Sequence, residues 1–208
     1  TGCGKSTLVN LIPRFFDVNQ GALLIDDLDV RDVTQADLRD KIGYTPQRGV
    51  LFTGTVASNL RFADQNASDE TLKESLEIAQ ATDFVFANPD GMQAEISQGG
   101  SNVSGGQKQR LSIARSLVKR PKIYIFDDSF SALDFKTDAA LRSALSKKTG
   151  DSTIFLVTQR VATVKSADQI IVLEDGEIVG RGTHHELMKT CQTYQEIATS
   201  QLSKEELE

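Results

Sequence analysis

An α/β fold with an antiparallel edge sheet and a helical insert follows from three features of this sequence. IYIF (123–126) is uniformly apolar, as a strand covered on both faces would be. Stretches of helical periodicity lie on both sides of it, one gathering Leu111, Ala114, Leu117 and Val118 and the other at 135–148. QIIVL-EDG-EIVG (169–180) breaks at Asp175-Gly176, the turn pair of a hairpin. At 208 residues the chain holds one domain, or a core plus a small subdomain, and can bury a real core.

Helical periodicity begins inside the opening loop, where Leu8, Leu11 and Ile12 share a face and Pro13 comes near the end. ALLI (22–25) and KIGYTP (41–46) read as strands, divided by an acidic turn at Asp26-Asp27 and a polar stretch. SDETLKESLEIAQ (68–80) predicts an amphipathic helix that gathers Leu72, Leu76 and Ala79. An irregular stretch rich in Gly, Asn and Ser covers 88–106. The next helix collects Leu111, Ala114, Leu117 and Val118, and Lys119, Arg120 and Pro121 are its stop signals. TIFLV (153–157) reads as a strand, and the polar SQLSKEELE at the end as a frayed or short exposed helix. The expected division is a core of 1–64 and 121–190, a helical subdomain over 65–120, and a C-terminal tail at 191–208.

Composition excludes some partners. A formal charge of -6 and a pI near 5.0, with no Lys/Arg run longer than two, argue against nucleic acid or anionic lipid as a general partner. Cys3 and Cys191 lie far apart without metal-type spacing, which suits a reducing cytosol. No stretch approaches the roughly 18 apolar residues of a membrane span. The chain opens on a functional loop with no strand before it, so it reads as a piece of a longer protein.

That loop, TGCGKST (1–7), is the back half of G-x-x-x-x-G-K-[ST]. The backbone of Thr1, Gly2, Cys3 and Gly4 is suited to converge on phosphate oxygens, and the following helix adds its positive end. Lys5 reaches the β- and γ-phosphates, the Ser6 hydroxyl ligates Mg²⁺, and Thr7 donates to a nearer phosphate. A chance match in a Gly-rich loop is the bland alternative, outweighed by the helix behind it and the acid pair downstream. In IYIFD the apolar strand delivers Asp127 to the sheet edge, where a carboxylate holds Mg²⁺. Together these predict a P-loop NTPase core. NVSGGQKQR (102–110) opens a second helix with Ser104, Gly105, Gly106 and Gln107, again an anion-binding start. Ser104 lies 99 residues after Lys5. One nucleotide seldom needs two such starts, so a head-to-tail dimer is expected, each nucleotide lying between one chain's P-loop and the other's SGGQ.

With these motifs the sequence resembles the nucleotide-binding domain of an ABC transporter over essentially the whole chain. TGCGKST resembles Walker A, YTPQ the Q-loop with Gln47, VSGGQ the signature with Val103 for the usual leucine, IYIFD Walker B, SALD (131–134) the D-loop, and TQR (158–160) the switch. LIPRFFD, LFTGTVASNLRF and ADQIIVLEDGEIVGRGTHHEL are similar to exporters of the multidrug type. The resemblance implies that Gln47 touches Mg²⁺ and the attacking water, that a transmembrane domain precedes residue 1 in the same polypeptide, and that the domain sits at the cytoplasmic face of the cell membrane. The adenine-stacking aromatic of such exporters lies upstream of this chain, and Gln98 stands where their GExG pattern has glutamate.

Two positions depart from the family. Active members carry glutamate after the Walker B aspartate as base or water anchor; here it is Asp128, one methylene shorter. The switch histidine is replaced by Gln159, which donates one hydrogen bond but carries no titrating proton. Lys5, Asp128 and Gln159 are thus the expected catalytic set, in a site that binds ATP and hydrolyses it slowly. The signature is intact and serves the partner's nucleotide, so a heterodimer with one degenerate site is expected; a slow homodimer is the alternative. A chromosome-type ABC ATPase is excluded by the 99-residue spacing, whereas a soluble translation-factor type, which needs a second P-loop copy, and a module using ATP only as dimer glue are the rivals. Elsewhere, His184-His185 read as solvated or capping residues, Lys108 and Arg110 as a solvated helix face, and Phe15, Phe16 and Phe52 as core or membrane-domain contacts.

Overall fold

The structure, a computed structural model, describes residues 2–150 and 152–203. The opening loop runs directly into α1 (Lys5–Leu11). β1 (Leu24–Ile25) and β2 (Leu28–Asp29) pair antiparallel across Asp26 and Asp27, whose φ values of 50° and 64° suit a two-residue hairpin turn. α2 (Gln35–Asp40), capped by Thr34, leads to β3 (Ile42–Thr45). β4 (Gly54–Thr55), α3 (Val56–Arg61), α4 (Asp69–Ile78), α5 (Thr82–Phe86), β5 (Glu95–Ile96) and α6 (Gly105–Leu117) follow. β6 (Ile123–Asp127), α7 (Phe135–Lys148), β7 (Thr153–Val157) and α8 (Val161–Val164) come next. The hairpin of β8 (Ile170–Glu174) and β9 (Glu177–Gly182) precedes α9 (His184–Thr190) and α10 (Gln192–Gln201).

The central sheet is parallel, in the order β3-β6-β7. Because strand side chains alternate, β6 feeds two cores. Ile125 joins Val9, Ile12, Ile42 and Val157 on one face, while Tyr124 and Phe126 join Leu111, Ile113, Ala114 and Leu117 on the other. Helices α1 and α6 therefore cover opposite faces of the sheet. A fully buried side chain such as Phe126 or Leu111 contributes roughly 1.5–3 kcal/mol, so this double burial fixes the strand's register. Close approach of α6 to β3 depends on Gly43, where an added Cβ would stand 2.6 Å from the Ser116 carbonyl oxygen.

Several expectations hold. α7 and β7 have the anticipated bounds, Leu72, Leu76 and Ala79 are all buried, and the hairpin turns at Asp175-Gly176. Others change. In α1 the buried position is Val9, joined by the capping Ile12, and Leu8 is 43% exposed. ALLI yields only two strand residues. Within 88–106 lie two 3₁₀ turns and β5, because the Asn102 side chain bonds Ser97 N–H and the Glu95 carbonyl and so organises the stretch. Upstream of SQLSKEELE, α10 buries Tyr194 and Ala198, four residues apart, against Leu187 and Cys191, and of that final stretch the residues 204–208 lie outside the described residues. Both cysteines are free. Among the described residues no helix is long and apolar enough to cross a membrane.

Candidate functional site

Gly2 and Gly4 hold φ values of 88° and 94°, the left-handed region that glycine enters without a Cβ clash. Gly4 caps α1 without any side-chain bond, so the first-turn amides of α1 keep no intrahelical partner. Lys5 Nζ lies 3.1 Å from Cys3 Sγ, and this hydrogen bond holds the Cys3 thiol below its ordinary pKa. Thr7 is exposed, and Thr1 lies outside the described residues.

Ser6 Oγ donates to Asp127 Oδ1 at 2.9 Å, joining the first turn of α1 to the end of β6. Alternation along β6 sends Asp127 to the α1 face with Ile125, and it is 5% exposed. The Tyr44 hydroxyl donates its single proton to Asn10 Oδ1 at 3.0 Å, leaving only a 3.5 Å approach to Asp127 Oδ2. Burial, and then the Asp127 charge, push the Tyr44 hydroxyl up to about 12, so it stays protonated. Among the described residues, Asp127 Oδ2 thus has only this long Tyr44 contact. A hydroxyl and a carboxylate in contact make the hard oxygen pair that Mg²⁺ takes, usually with phosphates and water as further ligands. No group of three or more His, Cys, Asp or Glu suited to a metal occurs among the described residues. The pair therefore fits a cation brought in with a nucleotide better than a resident metal.

Asp128 follows at φ 46°, a left-handed conformation that Asp tolerates better than most residues. Gln47 Nε2 donates to Asp128 Oδ2 at 3.0 Å, and Ser131 Oγ donates to the Asp128 carbonyl at 2.8 Å. The Gln47 loop is held from α6 by a residue that motif reading passed over. Gln109, 2% exposed, accepts from Gly49 N–H at 2.8 Å and donates to the Pro46 carbonyl at 3.2 Å, one bond on either side of Gln47. Only its position within GQKQR, beside the signature, hinted at such a role. Gln159 is exposed in the loop after β7.

At the start of α6, Ser104 Oγ accepts from Gln107 N–H and Gln107 Oε1 accepts from Ser104 N–H, a reciprocal cap. Ser104 and Gly105 are exposed and Gly106 half-buried. This second helix start belongs to α6, which covers the sheet face opposite α1.

Three minor readings are corrected. His184 is buried, its Nδ1 2.8 Å from Tyr194 Oη, because the packing of α10 covers it. Arg110 is half-buried, donating to the Gln80 carbonyl at 2.6 Å and lying over the Phe84 ring. Of the two alternatives for Phe15, Phe16 and Phe52 the core one is excluded, since all three are exposed, and Phe52 lies against the exposed Phe62 with the rings tilted by 32° and Arg115 over both.

Residues 1–131 match the family model described as ABC transporter. An uncharacterized ABC transporter ATP-binding protein of Mycobacterium tuberculosis (strain ATCC 25618 / H37Rv) is 51% identical over 204 residues, covering 97% of this chain and 35% of that protein. A Staphylococcus aureus (strain NCTC 8325 / PS 47) protein, named for multidrug export as an ATP-binding/permease protein, is 41% identical over 201 residues, covering 97% of this chain and 35% of that protein. The solved structure of a bacterial Atm1-family ABC exporter with ATP bound superposes with a TM-score of 0.94 at 35% identity, over 98% of this chain and 36% of that one. The chain thus spans about 35% of the length of the curated relatives it matches.

Proposed function

The chain belongs to the ABC transporter family as an ATP-binding domain, and from that premise we propose that it binds MgATP, closes head-to-tail on a second such domain, and powers export across a membrane. The observation that carries this reading is the Ser6–Asp127 contact at the foot of the glycine loop. Mg²⁺, when bound, supplies positive charge to the phosphates. The residues of this chain do the rest. Backbone amides of the loop and the Lys5 ammonium hold and offset phosphate charge, and Ser6 and Asp127 present oxygens to the cation. Asp128 orients the attacking water and takes its proton at Oδ1, since Oδ2 is engaged by Gln47. Gln159 donates to the terminal phosphate.

Export is supported by what the S. aureus relative is named for and by the exporter that superposes on the chain. On this reading a transmembrane domain lies upstream in the same polypeptide, the domain works at the cytoplasmic face of the membrane, and residues 65–120 act as its helical subdomain. The short Asp128 and the titration-silent Gln159 favour slow hydrolysis at the chain's own site. The exposed Ser104–Gln107 cap, on the face of the sheet away from α1, favours service to a partner's nucleotide. A heterodimer with one degenerate site satisfies both.

Two substitutions in the intact transporter test the reading. Lys5→Ala should abolish ATP binding at this chain's site, and unchanged affinity there would refute the nucleotide assignment. Ser104→Arg should suppress hydrolysis at the partner's site while ATP still binds here. If only this chain's nucleotide is lost, the head-to-tail arrangement is wrong.

A further inference from the structure

Gln201, the last residue of α10, reaches across 42 positions of sequence to the loop that carries Gln159. Its Nε2 donates to the Gln159 carbonyl at 2.7 Å, and its Oε1 accepts from Val161 N–H at 2.9 Å. One planar amide therefore engages both flanks of Arg160, much as a neighbouring peptide group would in a sheet. Val161 opens α8, so its N–H has no intrahelical acceptor, and the residue is buried. Without Gln201 that donor has lost its protein partner.

The loop is also held from its other side. Arg160 donates from Nη1 to the Leu133 carbonyl at 3.0 Å and from Nη2 to the Ser131 carbonyl at 2.8 Å. The helix bearing Gln201 is itself fixed, because Tyr194 is buried and bonded to His184 on α9. An open cleft of about 560 Å³ is lined by Lys5, Gln159, Arg160, Tyr194 and Gln201, so the amide stands at the rim of the same cleft as the P-loop lysine.

We propose that Gln201 is a positioning residue for the switch. It fixes the backbone on which Gln159 sits and so makes the C-terminal helix part of the hydrolytic apparatus. The inference rests on reading Gln159 as the switch of an ATP site. It accounts for an exposed polar side chain at the end of α10 that nonetheless commits both ends of its amide to one loop.

Gln201→Met and Gln201→Glu separate positioning from packing. Methionine keeps length and shape but makes neither bond. Glutamate keeps the acceptor for Val161 N–H but sets a carboxylate oxygen against the Gln159 carbonyl. Both are made in the intact transporter with the second ATP site inactive. In Gln201→Met, exchange of the Val161 amide should rise by about 5- to 10-fold, the effect of one lost hydrogen bond of roughly 1 kcal/mol. Its kcat should fall roughly 10-fold, less than the ~100-fold of a full 1 Å misplacement, with KM for ATP unchanged and the melting temperature lowered by no more than the roughly 2–4 °C that about 1 kcal/mol gives. Gln201→Glu should keep Val161 protected and still lose kcat. The exchange readout holds even where turnover at this site is slow. A Gln201→Met protein with the parent's Val161 exchange and kcat would overturn the inference. A fall in kcat that comes only with a higher KM and a melting temperature lowered by well over about 4 °C would also overturn it, since that marks general loosening. Failure of the parent itself to bind ATP would instead overturn the functional reading, and is recorded separately by nucleotide titration.

Discussion

Restoring reach at Asp128 is the sharpest test of why this site should be slow. Asp128→Glu adds one C–C bond, about 1.5 Å, to the carboxylate. Misplacement by about 1 Å can cost on the order of 100-fold in rate, which sets the ceiling of the gain. Two features of the structure work against it. The Gln47–Asp128 bond at 3.0 Å must re-form around a longer side chain, and losing about 1 kcal/mol there takes back roughly 5-fold. The φ of 46° also suits Asp better than Glu, which lowers stability more than rate. A gain of roughly 20-fold is therefore the most that the single change should give. Gln159→His supplies the missing titratable switch, and groups that act as one unit are non-additive, so the double variant should exceed the product of the singles. The assay is single-turnover ATP hydrolysis by rapid quench, in the intact transporter, with the second site's base removed and the partner's signature intact. A double variant no faster than the parent in that background would show that neither residue limits the site.

Three further outcomes follow from contacts on the same scaffold. Ser6→Ala removes the donor to a carboxylate that is almost wholly buried, an interaction of about 1.5–3 kcal/mol, so MgATP affinity should drop by roughly 10- to 100-fold while Mg²⁺-free ATP affinity barely moves. Equal losses in calorimetry with and without Mg²⁺ would contradict this. Gln109→Leu leaves Gly49 N–H and the Pro46 carbonyl unpaired, which should cost about 1–3 kcal/mol in urea unfolding and speed amide exchange around Gln47; normal exchange there would exclude the bracing role. Burial, with Lys165 and His185 nearby, holds His184 below the ordinary imidazole pKa of about 6.5, so the unfolded chain takes up its proton more readily. Its contribution is present above that pH and is lost as pH falls through and below it. His184→Gln should flatten that part of the stability profile between pH 7.5 and 5.5, and an unchanged slope would assign the effect to another group.

What could be read in advance divides along the length scale of the cause. Strand β6 and its two acids were legible because an uninterrupted apolar run followed by carboxylates is a local pattern, and burial on both faces is its direct consequence. Helix α7 was legible to the residue because Asp134 caps it by bonding Thr137 N–H, again within one turn. The packing of α10 was not, since its polar end masks the four-residue spacing of Tyr194 and Ala198, and their partners Leu187 and Cys191 lie in a separate helix and its cap. Of the hairpin of β1 and β2, the first strand and its turn at Asp26-Asp27 were legible but β2 was not, since a two-residue strand is too short for any periodicity.

Glutamine shows where sequence reading meets its physical limit. Gln107 folds back on its own helix start, Gln47 donates to Asp128, Gln109 brackets the loop around Gln47, and Gln201 clasps the backbone about Arg160. A neutral amide carries one acceptor and two hydrogens to donate, so its role is set wholly by which groups the fold brings opposite it. Only the first of these bonds spans three positions and belongs to a local rule. The other contacts span 40 to 81 positions and exist because parallel strands and their covering helices bring remote loops together. Charged motifs announce themselves by type. The amides that aim them do not, and in this chain they connect the acid after β6, the loop after β3 and the loop after β7 to helices α6 and α10.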